Sequence, residues 1–189
     1  MDELRKTNLE WTAICNGIFL DYYVPGLLSH LFKVPICIDV EHNAASIPGS
    51  GNTPITFTYS YDVGKYVAAL LGLDKWEQDY HITGETKTWN EVIEITEKAK
   101  GAKLDVVYEP IEKLEKNQVT ELPGHKAAYA AFGGEEVAKP MLQAVFARFG
   151  IWMEEGLFVY KDGPSLNALF PEIKPVGLEE AWKKAGAKI

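Results

Sequence analysis

The residues of this chain that could do chemistry fall into short constellations rather than one long motif. Asn16 and Gly17 interrupt an apolar run, and Phe19, Tyr22 and Tyr23 follow at once. An amide, a residue without a side chain and three aromatic rings just beyond a strand suit a small apolar ligand. Open α/β sheets bind ligands beyond the carboxyl ends of their strands. Tyr22 and Tyr23 add phenol hydroxyls, and His125, in LPGH, is the histidine best suited to proton transfer. Phe149 and Trp152, within an apolar set that includes Phe146, Met153 and Phe158, are the candidate substrate wall. Each has a plainer reading: aromatic residues fill cores, and a loop histidine is usually only a loop histidine.

Other patterns point to less. The histidines His30, His42, His81 and His125 show no H-x-x-x-H pairing, and Cys15 and Cys37 form no C-x-x-C, so no metal site is expected. There is no G-x-G-x-x-G and no P-loop signature; Gly49-Ser50-Gly51-Asn52 precedes a strand pattern, whereas phosphate loops precede helices. Gly49-Ser50-Gly51 is also not a nucleophile elbow. Tyr61 and Lys65 match Y-x-x-x-K, in which a lysine one turn on would lower a tyrosine pKa. Two residues in a chain rich in both types read as coincidence.

These residues need elements to position them. The run EWTAICNGIFL reads as a strand covered on both faces and broken at Asn16-Gly17, after a helix end at residues 3–8. A helical turn is expected over 27–33, short strands over 35–40 and 55–59, and a loop over 47–54. Val63, Tyr66, Val67, Leu70 and Leu71 form a helical stripe behind Ser60 as N-cap. Thr88 and Glu91 form a capping box, and Gly101 ends that helix. Strands are expected over 79–84 and 103–110, with Pro110 opening a short helix. Residues 118–134 read as an irregular loop, followed by a helix over about 136–149, a short helix after Ser165 and a last one over 178–186. Strands alternating with helices imply an α/β fold with parallel pairing, in one domain over residues 1–189.

The chain of 189 residues is 47% hydrophobic, so it can bury a core. Its formal net charge of -8, with no basic stripe among the aromatics, argues against nucleic acid and against an anionic membrane as partner. The start MDELRK is not of signal-peptide type, and no apolar run approaches membrane-spanning length. A soluble cytoplasmic protein is expected.

The stretches LEWTAICNGIFLDYY, AASIPGSGNTPITFTYSYDVGKYVAALLGLDKW, ITGETKTWNEVIEI, VTELPGH and FGIWMEEGLF resemble, in order, fungal NmrA-like, isoflavone-reductase-like proteins, which are atypical short-chain dehydrogenases. The resemblance covers nearly the whole chain but matches only the C-terminal part of that family. It implies a partial Rossmann-like parallel sheet plus a small substrate-binding α/β lobe with a helical C-terminus. It implies that Asn16, Gly17 and Phe19 border the nicotinamide and substrate, and that the loop at 47–52 and the C-terminal helices shape the substrate pocket. The family's glycine-rich NAD(P) loop has no counterpart here, so the expectation is no cofactor unless an N-terminal half supplies it, and weak binding of NAD(P) by this chain.

Taking the chain as complete, the expected function is binding of a small, apolar or aromatic secondary-metabolite-like molecule, with cofactor-independent isomerase, cyclase or lyase chemistry. The alternatives are a truncated NAD(P)H-dependent oxidoreductase and a non-catalytic regulatory or partner-binding protein. An uncovered edge on the first strand further implies a homo-oligomer.

Overall fold

The computed structural model describes residues 3–160 and 163–187. After a 3-10 turn at Leu4–Lys6, the first apolar run splits into β1 (Ala13–Cys15) and β2 (Ile18–Phe19). A second 3-10 turn (Leu20–Tyr23) and a long irregular stretch lead to β3 (Ile38–Asp39), β4 (Ala44–Pro48) and β5 (Ile55–Thr58). Then come α1 (Ser60–Leu70), β6 (Asp79–His81), β7 (Glu85–Lys87), α2 (Trp89–Lys100) and β8 (Asp105–Glu109). The rest is helical: α3 (Ile111–Leu114), α4 (His125–Ala131), α5 (Glu135–Glu154), α6 (Leu166–Leu169) and α7 (Leu178–Lys184).

The strands form small sheets with parallel pairing in each. β1 runs parallel to β6, with Ala13 opposite Asp79 and Cys15 opposite His81. β2 runs parallel to β5, whose other side takes β7 antiparallel. β4 runs parallel to β8 and antiparallel to β3. Parallel strands need long crossovers: β4 reaches β8 by way of α1 and α2, and the path from β1 to β6 includes α1, whereas β2 reaches β5 through the 3-10 turn, the irregular stretch, β3 and β4. This is the mixed α/β fold that the alternation of strand and helix patterns implies.

Gly17 makes the step from the first sheet to the second. Its φ is +70°, and a Cβ there would lie 2.2 Å from the Thr56 carbonyl oxygen. Only glycine combines that backbone conformation with so close an approach to β5. The consequence is that the run splits at the expected break, and Ala13–Cys15, expected to be covered on both faces, is only half-buried.

Other expectations are revised. Residues 27–33 carry no helical turn. Strand β4 runs into the start of the loop expected over 47–54, because β8 pairs along all of Ala44–Pro48. The supposed loop at 118–134 contains α4, which starts at His125. Helix α5 runs on to Glu154, and Gly150 lets it pack closely on α3: a Cβ there would lie 3.0 Å from the Leu114 side chain. The N-terminus of α1 is not capped by Ser60. Asp21, from the turn after β2, accepts the Ser60 N–H at 2.9 Å and the Ser60 hydroxyl at 2.5 Å.

The capping box on α2 forms, with the Thr88 side chain accepting the Glu91 N–H, and Gly101 ends the helix at φ +67°. That helix brings Trp89 into the core, where its ring stands edge-on to Tyr23 at 5.2 Å and to Phe57 at 5.3 Å. Each such ring stabilises the fold by about 1.5–3 kcal/mol through burial, and each aromatic pair by roughly 0.5–1.5 kcal/mol more.

Candidate functional site

The break at Asn16-Gly17 opens a cleft at the carboxyl end of β1. It has a volume of about 290 Å³, with Cys15, Asn16 and Gly17 on one side and Leu157, Phe158 and Tyr160 on the other. The second wall is fixed to the sheet, because the Thr56 N–H donates to the Phe158 carbonyl at 3.0 Å. The Phe149 ring stands edge-on to Phe158 at 6.1 Å and lies 5.9 Å from Trp152. The structure thus brings Asn16 and Gly17 together with Phe158, and Phe158 together with Phe149 and Trp152. Asn16 donates its amide to the Gly17 carbonyl at 3.3 Å, and its Oδ1 accepts no hydrogen bond among the described residues. An apolar cleft with one open acceptor can hold a small aromatic ligand and orient one polar group on it.

Cys15 adds no nucleophile. Burial first, and Asp79 second, push its thiol up from the ordinary value, so it stays protonated. Among the described residues no group of histidine, cysteine and carboxylate side chains is placed to hold a metal ion.

The remaining candidates lie elsewhere. Phe19, on β2, pairs with Thr58 of β5, outside the cleft lining. Tyr23 is fully buried between Phe57 and Trp89; its hydroxyl has no partner among the described residues, and burial pushes its pKa well up. His125 is buried at the start of α4, with its ring stacked on Phe146 at 5.1 Å. Its Nε2 donates to the Pro35 carbonyl at 2.8 Å and its Nδ1 accepts the Leu122 N–H at 3.2 Å. Burial holds its pKa below the ordinary value. Neither residue presents a proton-transfer atom to the cleft.

Tyr22 lines a separate cavity of about 130 Å³ with Asp39 and His42. Sequence reasoning missed that pair, although Asp and His three apart in a turn (DVEH, 39–42) is a spacing that could have shown it. The Y-x-x-x-K pair is not a working pair: Lys65 Nζ lies 2.7 Å from Asp62, and the Tyr61 hydroxyl lies 2.9 Å from His30 Nε2.

A dinucleotide has a ring, which the cleft could take, and a diphosphate, which needs N–H groups and positive charge. The three longer helices do not provide them at their N-termini. Asp21 occupies the start of α1, Glu91 that of α2, and Glu135 and Glu136 lie in the first turn of α5. The glycine loop at 49–51 is likewise committed to a carboxylate: the Ser50 hydroxyl donates to Glu154 at 3.2 Å, and a Cβ on Gly49 would lie 2.3 Å from that carboxyl group. The described residues fit a nicotinamide-sized ring and do not fit the diphosphate.

No protein-family model matches the chain. Among curated relatives, the oxidoreductase BOA1 of Botryotinia fuckeliana is 36% identical over 177 residues, which are 92% of this chain and 53% of the relative. The chain spans about half the length of the curated relatives it matches. Similar solved structures include AtPrR2 in apo form, with a TM-score of 0.67 and 18% identity, covering 97% of this chain and 57% of that one. Isoflavone reductase superposes with a TM-score of 0.64 and 18% identity, over 97% of this chain and 55% of that one. AtPrR2 has also been solved with NADP+ and (+)pinoresinol. The fold is therefore the α/β fold of these reductases, over about half their length.

Proposed function

We propose that this chain is the substrate-binding part of an isoflavone-reductase-like oxidoreductase, and that the Asn16–Phe158 cleft takes a small, largely apolar, aromatic metabolite. The observation that carries this reading is the cleft itself, with one open amide acceptor opposite an aromatic wall, in a chain 36% identical to a fungal oxidoreductase over 92% of its length. Asn16 orients a hydroxyl or N–H of the ligand. Phe158 and Tyr160 cover its ring, and Phe149 and Trp152 back the Phe158 wall. A nicotinamide cofactor would supply hydride in such an enzyme. The described residues do not hold its diphosphate, so no hydride step is assigned to them. That same feature favours a second reading, in which the cleft turns over its ligand without a cofactor, as an isomerase, cyclase or lyase.

Calorimetric titration of the chain with the isoflavone daidzein, and separately with NADP+, tests the proposal. Daidzein is expected to bind, and Phe158→Ala to weaken it about ten-fold, the effect of losing one ring face. NADP+ alone is expected to bind no tighter than about 1 mM. Tight NADP+ binding, or daidzein binding that ignores Phe158→Ala, would contradict it.

A further inference from the structure

The cavity beside Tyr22 contains a built arrangement that the cleft does not use. Asp39 is 4% exposed, yet its carboxylate is fully engaged. It accepts the Gly124 N–H at 2.7 Å, the His42 N–H at 3.2 Å and the His42 Nδ1–H at 2.9 Å. Gly124 is needed for this approach, since a Cβ there would lie 2.9 Å from Asp39 Oδ2. A buried carboxylate on Nδ1 fixes the tautomer of the ring. The neutral imidazole then carries its lone pair on Nε2, and the carboxylate faces the imidazolium when Nε2 takes a proton.

The rest of the cavity decides what would meet that nitrogen. Pro25, Pro35 and Ile38 give it apolar surface. The titratable groups lining it with His42 are Tyr22, Lys33, Asp39 and Glu41. Burial, and then Asp21, raise the Tyr22 phenol, which keeps it a neutral hydrogen-bond donor. The volume of about 130 Å³ is that of a single ring; an engineered apolar cavity of roughly 150 Å³ holds benzene.

We propose that this cavity is a second ligand site, which takes a single-ring phenol or enol, and that His42 accepts the proton of its hydroxyl. The ligand O–H bond breaks and an N–H bond forms on Nε2. The electron pair stays on oxygen, leaving a phenolate or enolate, which Tyr22 and Lys33, lining the same cavity, would stabilise. Asp39 is a positioning residue. The site is independent of the aromatic cleft and of any dinucleotide.

The probe is 4-nitrophenol, whose ionised form absorbs in the visible, used at a pH where the free probe is mostly un-ionised. With the wild-type chain, one probe per chain is expected to bind, and the bound probe to show the phenolate band. His42→Gln, a change at a half-exposed side chain, is expected to remove the band and weaken binding about ten-fold. Asp39→Asn is expected to retain binding but lose ionisation, a readout that a purely structural role for Asp39 would not move. If Asp39→Asn fails to fold, His42→Gln decides. No binding to the wild type, or equal ionisation in His42→Gln, overturns the proposal.

Discussion

At the scale of single residues, position in the fold decides which groups can act. His125 and His42 have the same side chain and opposite situations. His125 has both ring nitrogens committed inside the core, whereas among the described residues the His42 ring is anchored on one nitrogen only. Because burial lowers the His125 pKa in the folded state, the folded chain binds fewer protons there than the unfolded chain. Its contribution is therefore full above the ordinary imidazole range and is lost as pH falls through that range. Glu109 has a second window. Burial pushes its carboxyl up, but hydrogen bonds from Lys113, Ser46 and Thr120 outweigh this and hold it below the ordinary value. Its contribution is present above the ordinary carboxylate range and is lost below it. Denaturation midpoints measured against pH should fall in two steps on acidification, and His125→Asn should remove the upper one. A single step in the carboxylate range would show that His125 is not buried as described. At Gly17, alanine should cost at least about 2 kcal/mol in chemical denaturation, from a strained φ and a clash with Thr56. A neutral Gly17→Ala would remove the reason for the break between β1 and β2.

At the scale of elements, local signals were readable and distant partners were not. The capping box of α2 lies within four consecutive residues, and Thr88→Ala should cost about 1 kcal/mol by thermal or chemical denaturation. An unchanged midpoint would mean that the box contributes nothing. Gly101 and the helix opened at Pro110 were legible for the same reason. The cap of α1 was not, because Asp21 reaches Ser60 across 39 residues. His125 looked like a loop histidine because its anchor, the Pro35 carbonyl, is 90 residues away in the chain. Strand β4 was hidden by Pro48 and a run of small residues, and only its pairing with β8 makes it a strand. In the candidate site, Asn16 and Gly17 were legible as a break beyond a strand. Tyr160 and Leu157 were not, since nothing local marks them as the opposite wall.

At the scale of the whole molecule, the chain combines the α/β fold seen in isoflavone reductase with helix starts occupied by its own carboxylates. Among the described residues no helix is long and apolar enough to cross a membrane. Strand β1 pairs with β6 alone, so one of its edges carries no strand among the described residues. Open edges recruit partners, and light scattering of the purified chain is expected to show a concentration-dependent dimer; a monomer at high concentration would contradict that. The central claim is that the cleft between Asn16 and Phe158 holds an aromatic metabolite, with no dinucleotide gripped by its phosphates. Native mass spectrometry of the freshly purified chain, before and after exposure to daidzein, tests it most directly. The account predicts a bound mass of non-dinucleotide character, carried through purification or acquired from daidzein at one per cleft. A bound mass matching NAD(P), or a folded chain that stays empty in daidzein, would contradict it.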